Sequence, residues 1–236
     1  MNQTFYKVNT FASPLSYSLI LAADERGGIG LDNDLPWKLA GVNNKSDMQW
    51  FRDKTKGKII IMGYNTWVSI GRKPLPGRYN VIITEKHYDE VGSDLKAWGE
   101  EYYKTEKGQA SPIHSAVCKS PSLAVAYLEN TLGYATRGGE VMVIGGARIY
   151  EAFMEYASRI YLTTFEGEFK ADTFVKLDLT DFELRYRDTM GVLDPKFEIW
   201  DVTEQVAKRP DSEIIQISYG LKEATGWVAD IVKDKE

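Results

Sequence analysis

The sequence predicts one α/β domain with a mixed, mostly parallel central sheet, an antiparallel C-terminal edge and flanking helices. Three observations carry this. Short apolar runs such as Lys58–Gly63, Asn80–Thr84 and Glu140–Ile144 alternate with helical patterns through most of the chain. Those runs are apolar at nearly every position, as in parallel strands covered on both faces. The last third carries β-type runs with no helical pattern between them, which suits antiparallel strands finishing a sheet.

Taken in order, Tyr17–Ala23 reads as a buried strand leading into Asp24–Gly30, a loop whose three glycines admit backbone angles closed to other residues. Ser46–Arg52 reads as a helix start, with Ser46 or Asp47 placed to cap exposed amides. Lys58–Gly63 is the second strand, Asn65–Ile70 a short helix, Gly71 with Pro74–Gly77 a rigid turn, and Asn80–Thr84 the third strand. From Glu85 to Lys119 charged, glycine and aromatic residues follow no steady period, so this stretch is expected to be an irregular insertion. Ser122–Leu128 is a helix, Glu140–Ile144 a strand, Arg148–Phe153 a helix after Gly145-Gly146-Ala147, and Arg159–Thr164 a strand. Phe182–Tyr186, Phe197–Trp200 and Ile214–Ser218 are expected as the antiparallel strands, and 221–236 as a loose terminal helix.

Composition narrows the function classes. The 236 residues permit one elaborated domain or two small ones, and a hydrophobic content of 43% with 27% charged residues is that of a globular protein. A net charge of −5 lacks the basic excess that neutralises phosphates, so nucleic acid is not an expected partner. No apolar run approaches the roughly 18 residues that cross a bilayer, and the first residues lack a secretory apolar centre. A single cysteine, Cys118, excludes internal disulfides and fits a reducing compartment, so a cytoplasmic location is expected. The two histidines, His87 and His114, cannot build a histidine-rich metal site, and with Cys118 they show no nucleophile-base pattern.

Three constellations bear chemistry. Val141–Tyr150 packs a strand, the pair Gly145-Gly146 and a helix start into ten residues, the arrangement that brings a phosphate against backbone amides. An ordinary strand-to-helix turn explains the same residues. Met62–Trp67 repeats the device, so two junctions are available for the two phosphates of a dinucleotide, although neither matches the GxGxxG fingerprint. Asp47, with Trp50 and Phe51 one turn on and Leu35-Pro36-Trp37 upstream, suits an acid at the edge of an apolar pocket that recognises a protonatable ring. A solvent-facing helix cap is the other reading of Asp47. Arg78 beside the Pro74–Gly77 turn is placed to clamp a carboxylate, or merely to solvate.

In this order, Ser18–Ala23, Gly28-Ile29-Gly30 through Leu35-Pro36-Trp37, Asp47–Phe51, Ile61-Met62-Gly63 through Thr66–Gly71, Pro74–Arg78, Val143–Gly146 through Tyr150, and Tyr161-Leu162-Thr163 resemble the dihydrofolate reductase family over roughly 17–84 and 120–220. The resemblance implies a dihydrofolate-reductase-like domain over 17–220 with an insertion at about 86–118, an N-terminal extension over 1–16 and a tail over 221–236. It implies reduction of dihydrofolate to tetrahydrofolate in support of one-carbon metabolism, with Asp47 assisting protonation, Trp37 ordering a water near the acid and Thr163 bonding its carboxylate. For the substrate it implies the carbonyls of Ile20 and Ile144, Ala22, the walls Phe51, Ile70 and Leu75, and Arg78 at the glutamate tail. For the cofactor it implies Ala22, Ile29 and Gly30 at the nicotinamide, with Gly63, Tyr64, Asn65, Thr66, Thr84, Glu85, Gly145, Gly146, Ala147, Arg148, Ile149 and Tyr150 along the remainder. It also implies a cis Gly145–Gly146 bond. NADPH is the expected cofactor. NADH stays open because Tyr64 stands where the family often has an arginine and Glu85 follows the next strand; Arg72, Lys73 or Lys86 are expected to compensate. The segment between Leu39 and Asp47 is longer than the compact bacterial pattern. Two other readings stand beside this one: a related pyrimidine reductase of riboflavin synthesis, and a non-catalytic folate- or nucleotide-binding relative.

Overall fold

The computed structural model describes residues 15–106, 108, 114–131, 139–189 and 195–203. Its main sheet has eight strands in the order β5-β4-β3-β6-β1-β7-β10-β9. These are β1 (Ser16–Asp24), β3 (Ile59–Gly63), β4 (Tyr79–Ile83), β5 (Ser115–Cys118), β6 (Glu140–Gly145), β7 (Ala157–Phe165), β9 (Phe182–Thr189) and β10 (Lys196–Val202). Six strands from β5 to β7 run parallel, whereas β10 is antiparallel to β7 and β9 to β10. A separate ribbon pairs β2 (Gly28–Gly30) with β8 (Thr173–Phe174).

The continuous apolar runs have a direct physical consequence, because successive strand residues point to opposite faces and both faces must then be covered. Leu19, Leu21, Ile59, Ile61, Val81, Val141 and Val143 pack on one side with Ala124 and Leu128 of α5 (Pro121–Thr131) and Phe153 of α6 (Ala147–Phe153). Ile20, Ile60, Met62, Ile82, Met142 and Ile144 pack on the other with Trp50 and Phe51 of α2 (Lys45–Thr55), Trp67 of α3 (Tyr64–Ser69) and Val91 of α4 (Tyr88–Tyr102). A short α1 (Pro36–Leu39), opened by proline, buries Trp37. Switches from strand to helix at Gly63–Tyr64 and Gly145–Ala147 open the same carboxyl edge of the sheet.

The expectation of an irregular insertion at about 86–118 is corrected. Residues 88–102 form α4 and 115–118 form β5, the parallel edge strand beside β4. The helical period is diluted because its apolar anchoring rests on Val91 and Leu95 among Gly92, Gly99 and several acids, and β5 has only four residues. The boundary at 16/17 also moves, since Leu15 is 5% exposed within the core and β1 begins at Ser16. Positions 1–14, the expected strand Ile214–Ser218 and the tail 221–236 lie outside the described residues.

A buried acid organises the loop after β1. The Asp24 carboxylate accepts hydrogen bonds from the amides of Arg26 (2.9 Å), Gly28 (2.7 Å) and Phe169 (3.0 Å), tying the loop to the β7–β8 connection. Gly27 sits at φ 82, and a Cβ there would lie 2.4 Å from the Val175 carbonyl oxygen, so only glycine fits. Farther along, the Asp172 carboxylate accepts from Asp32 N at 2.9 Å, which secures the loop in front of α1.

Candidate active site

Asp47 occupies the first turn of α2, and the structure corrects the reading of it, or Ser46, as the helix cap: the N-cap residue is Asn44. Asp47 instead faces inward at 6% exposure and is hydrogen-bonded to the Thr163 side chain. Thr163 arrives from β7, whose register places it beside Ala22 of β1. Burial raises the Asp47 carboxyl from 3.8 to about 6, and the Thr163 hydrogen bond, which favours the carboxylate, opposes part of that rise. The result is a buried acid poised near neutrality between α2 and the sheet.

Trp37 is fully buried and stacked on Phe165, two residues after Thr163 in β7, with centroids 4.3 Å apart. Its Nε1 is buried without a protein partner, an N–H donor suited to a water or a ligand. Ile20, in the middle of β1, and Ile144, near the end of β6, are buried on the face of the sheet that α2 covers. The Ile20 carbonyl already accepts the Tyr150 hydroxyl at 2.9 Å, leaving its second lone pair. Tyr150, placed by sequence along the cofactor, is thus buried at 5% exposure and tied to β1, and its ionisation is suppressed by burial and then by the Asp47 charge.

Phe51, Ile70 and Leu75, partly buried, pack against the same apolar cluster. The turn that carries Leu75 and Arg78 is held by Asn80, a residue that sequence reasoning missed. Asn80 is fully buried; its Oδ1 accepts from Leu75 N (2.8 Å) and its Nδ2 donates to the carbonyls of Leu75 and Arg78 (both 3.1 Å). A polar residue opening an apolar strand was the available signal. Arg78 Nε donates to Thr55 Oγ1 and Nη1 to the Pro76 carbonyl, both at 2.8 Å, so the guanidinium is fixed in direction with no carboxylate partner among the described residues. Desolvation, then the neighbouring Arg52, lowers its pKa.

At the carboxyl edge, the Gly145–Gly146 bond is cis and Gly145 has φ 125. A Cβ on Gly145 would stand 3.2 Å from both Thr66 Oγ1 and the Tyr150 hydroxyl, and one on Gly63 would stand 2.9 Å from Ile149 Cγ1. The two strand-to-helix junctions therefore meet through backbone, with Thr66 and Ile149 between them and Ala147 and Arg148 opening α6. Ile29 and Gly30 belong to or flank the β2–β8 ribbon near β1. Asn65 follows Tyr64 in α3, and Thr84 and Glu85 follow β4.

The family model for dihydrofolate reductase matches residues 16–111 and 114–199. The chain belongs to the dihydrofolate reductase family. It is 28% identical over 173 residues to the dihydrofolate reductase of Haemophilus influenzae, covering 73% of this chain and 86% of that protein. It is 33% identical over 168 residues to the Bacillus subtilis dihydrofolate reductase, covering 71% and 80% respectively. The fold is similar to that of a dihydrofolate reductase from Enterococcus faecalis complexed with NADP(H) and RAB-propyl, with TM-score 0.57, 20% identity, and coverage of 80% of this chain and 97% of that one. The α/β class with a mostly parallel sheet and antiparallel edge, expected from sequence, is the fold observed. One compensating group expected for a dihydrofolate reductase cofactor is otherwise engaged: Arg72 is ion-paired with Glu90 and Asp94.

Proposed function

We propose that this chain reduces 7,8-dihydrofolate to 5,6,7,8-tetrahydrofolate with NADPH, through a domain that spans at least the described residues 15–203. The observation that carries the reading is Asp47, a buried acid held by Thr163 and raised to about 6 on the helix that also carries Trp50 and Phe51. In the reaction the ring C=N bond gains a hydride on carbon and a proton on nitrogen. When bound, NADPH supplies the hydride. The residues fit that cofactor, because Gly63 and Gly145, where a Cβ would crowd Ile149 at 2.9 Å and Thr66 and Tyr150 at 3.2 Å, keep the two strand-to-helix junctions free of side chains. Gly63, Thr66, Gly146, Ala147 and Arg148 would hold the pyrophosphate, and Ala22, Ile29 and Gly30 the nicotinamide.

Asp47 accepts from the pterin's amino group and adjacent ring nitrogen and favours the protonated imine. Thr163 fixes the carboxylate's direction. The buried Trp37 indole, whose N–H has no protein partner, would order a water on the proton path. Phe51, Ile70 and Leu75 hold the ring system flat, and Arg78, locked by Thr55 and Pro76, holds the tail carboxylate with parallel hydrogen bonds. A cytoplasmic place of work is consistent with Cys118 being the single cysteine, which leaves no internal disulfide to form. Among the described residues no helix is long and apolar enough to cross a membrane.

The test is absorbance at 340 nm with purified protein. Loss of NADPH that requires added dihydrofolate supports the proposal; no loss with dihydrofolate present overturns it.

A further inference from the structure

At the outer end of the carboxyl edge, past the Gly63 junction, lies a polar cluster that the reaction above does not use. Tyr64, the first residue of α3, stacks on His87 with centroids 3.8 Å apart and planes 7° off parallel. The His87 amide donates to Thr84 Oγ1 (3.1 Å), which ties the stack to the end of β4. Glu90 gathers the cluster: its Oε1 accepts from the Tyr64 hydroxyl (3.0 Å), its Oε2 lies 2.7 Å from His87 Nδ1, and Arg72 Nη1 bonds it directly. Arg72 also reaches Asp94 Oδ2 (3.1 Å) through Nη1 and donates to the Tyr64 hydroxyl (2.9 Å) through Nη2. The Arg72 backbone sits at φ 55, in the left-handed region, within the turn that follows α3.

The strand order places this cluster with respect to a dinucleotide. The adjacent strands β1, β6, β3 and β4 span three inter-strand spacings, about 14 Å. With the nicotinamide at β1 and the pyrophosphate between the β6 and β3 junctions, the adenosine half would lie toward the ends of β3 and β4, where Tyr64 and His87 stack. The guanidinium there is already shared by two carboxylates, and Glu85, exposed, adds a third acid. A phosphate on the adenosine ribose meets Glu90 as a like charge, whereas a free ribose hydroxyl can donate to it.

We infer that Glu90 is a specificity-determining residue of this chain: by holding Arg72, it withdraws the one arginine of the cluster from the ribose 2′-phosphate and narrows selectivity between NADPH and NADH. The inference rests on the cofactor reading given above. Glu90 is kept ionised by the same contacts, since Arg72 and then His87 hold its carboxyl down to about 2.

Calorimetric binding of adenosine 2′,5′-bisphosphate and adenosine 5′-monophosphate to the parent, to Glu90→Gln and to Glu90→Gln/Arg72→Gln tests this, with NADPH and NADH kinetics alongside. The parent is expected to separate the two fragments by less than about tenfold. Glu90→Gln is expected to raise the preference for the bisphosphate about tenfold, the scale of one charge-assisted hydrogen bond, and the double variant to remove that gain. A preference in Glu90→Gln within twofold of the parent, or a gain that survives loss of Arg72, overturns the inference while leaving dihydrofolate reduction intact. Failure of both fragments to bind, with no oxidation of either coenzyme, overturns the cofactor reading as well.

Discussion

Replacing Asp47 by asparagine is expected to stabilise the fold at neutral pH, even though it removes the acid. The native carboxyl is raised from 3.8 to about 6, so its charged form is disfavoured by about 3 kcal/mol relative to the unfolded chain. A raised carboxyl binds its proton more tightly when folded. Its favourable contribution is therefore full below about pH 4 and is lost as pH rises through about 6. Asparagine stays neutral, and its carbonyl can still accept the Thr163 hydroxyl. The variant's advantage should be near zero at pH 4, grow between pH 4 and 6, and level off above that at about 1–3 kcal/mol, part of the full value being spent on an imperfectly paired amide. Urea unfolding followed by tryptophan fluorescence at pH 4, 5, 6 and 7.5 reads this, with a midpoint shift on the order of 1 M at the top of the range. An advantage that does not vary with pH, or an asparagine variant less stable than the parent at pH 7.5, would refute the reasoning.

Other outcomes follow from the same geometry. Thr163→Val removes a hydrogen bond that favours the carboxylate, so the break in the pH–rate profile should move upward by about half a unit to one unit; an unmoved break counts against Thr163 as the partner. Arg78→Gln should raise the KM for dihydrofolate by about 10- to 100-fold with little change in kcat, and should leave a dihydropterin without the glutamate tail unaffected; equal losses on both substrates would point to a structural role. Asp172→Ala deletes the acceptor for Asp32 N, and because that contact is exposed the unfolding free energy should change by less than about 0.5 kcal/mol while turnover falls severalfold. Unchanged turnover would show that the loop is held well enough without it.

Sequence alone disclosed the parts of the molecule in which one physical demand dominates. Strands β3, β4 and β6 are apolar at nearly every position because helices cover both of their faces, and that pattern is visible without coordinates. Asp47 was legible for a similar reason, since an acid followed within a turn by Trp50 and Phe51 is a local conflict between charge and burial. What stayed hidden depends on partners distant in sequence. Helix α4 was obscured because Val91 and Leu95 carry its packing while glycines and acids fill the remaining turns. Asp24 looks like any loop acid until Phe169, 145 positions on, donates to it. Arg72 reads as a free cation next to a turn, and only the docking of α4 brings Glu90 and Asp94 onto it. His87, which had no legible role, stacks on Tyr64 for the same reason.

The most direct test of the central claim is the pH dependence of kcat/KM for dihydrofolate in the parent and in Asp47→Asn. The parent should show a single fall above an apparent pKa near 6. The asparagine variant should lack that break, run at least about 10²-fold slower at pH 7.5, and recover part of the loss as acid in solution protonates the substrate. An asparagine variant that keeps the break, or that runs near the parental rate at pH 7.5, would contradict the assignment of the buried carboxyl as the proton-handling group.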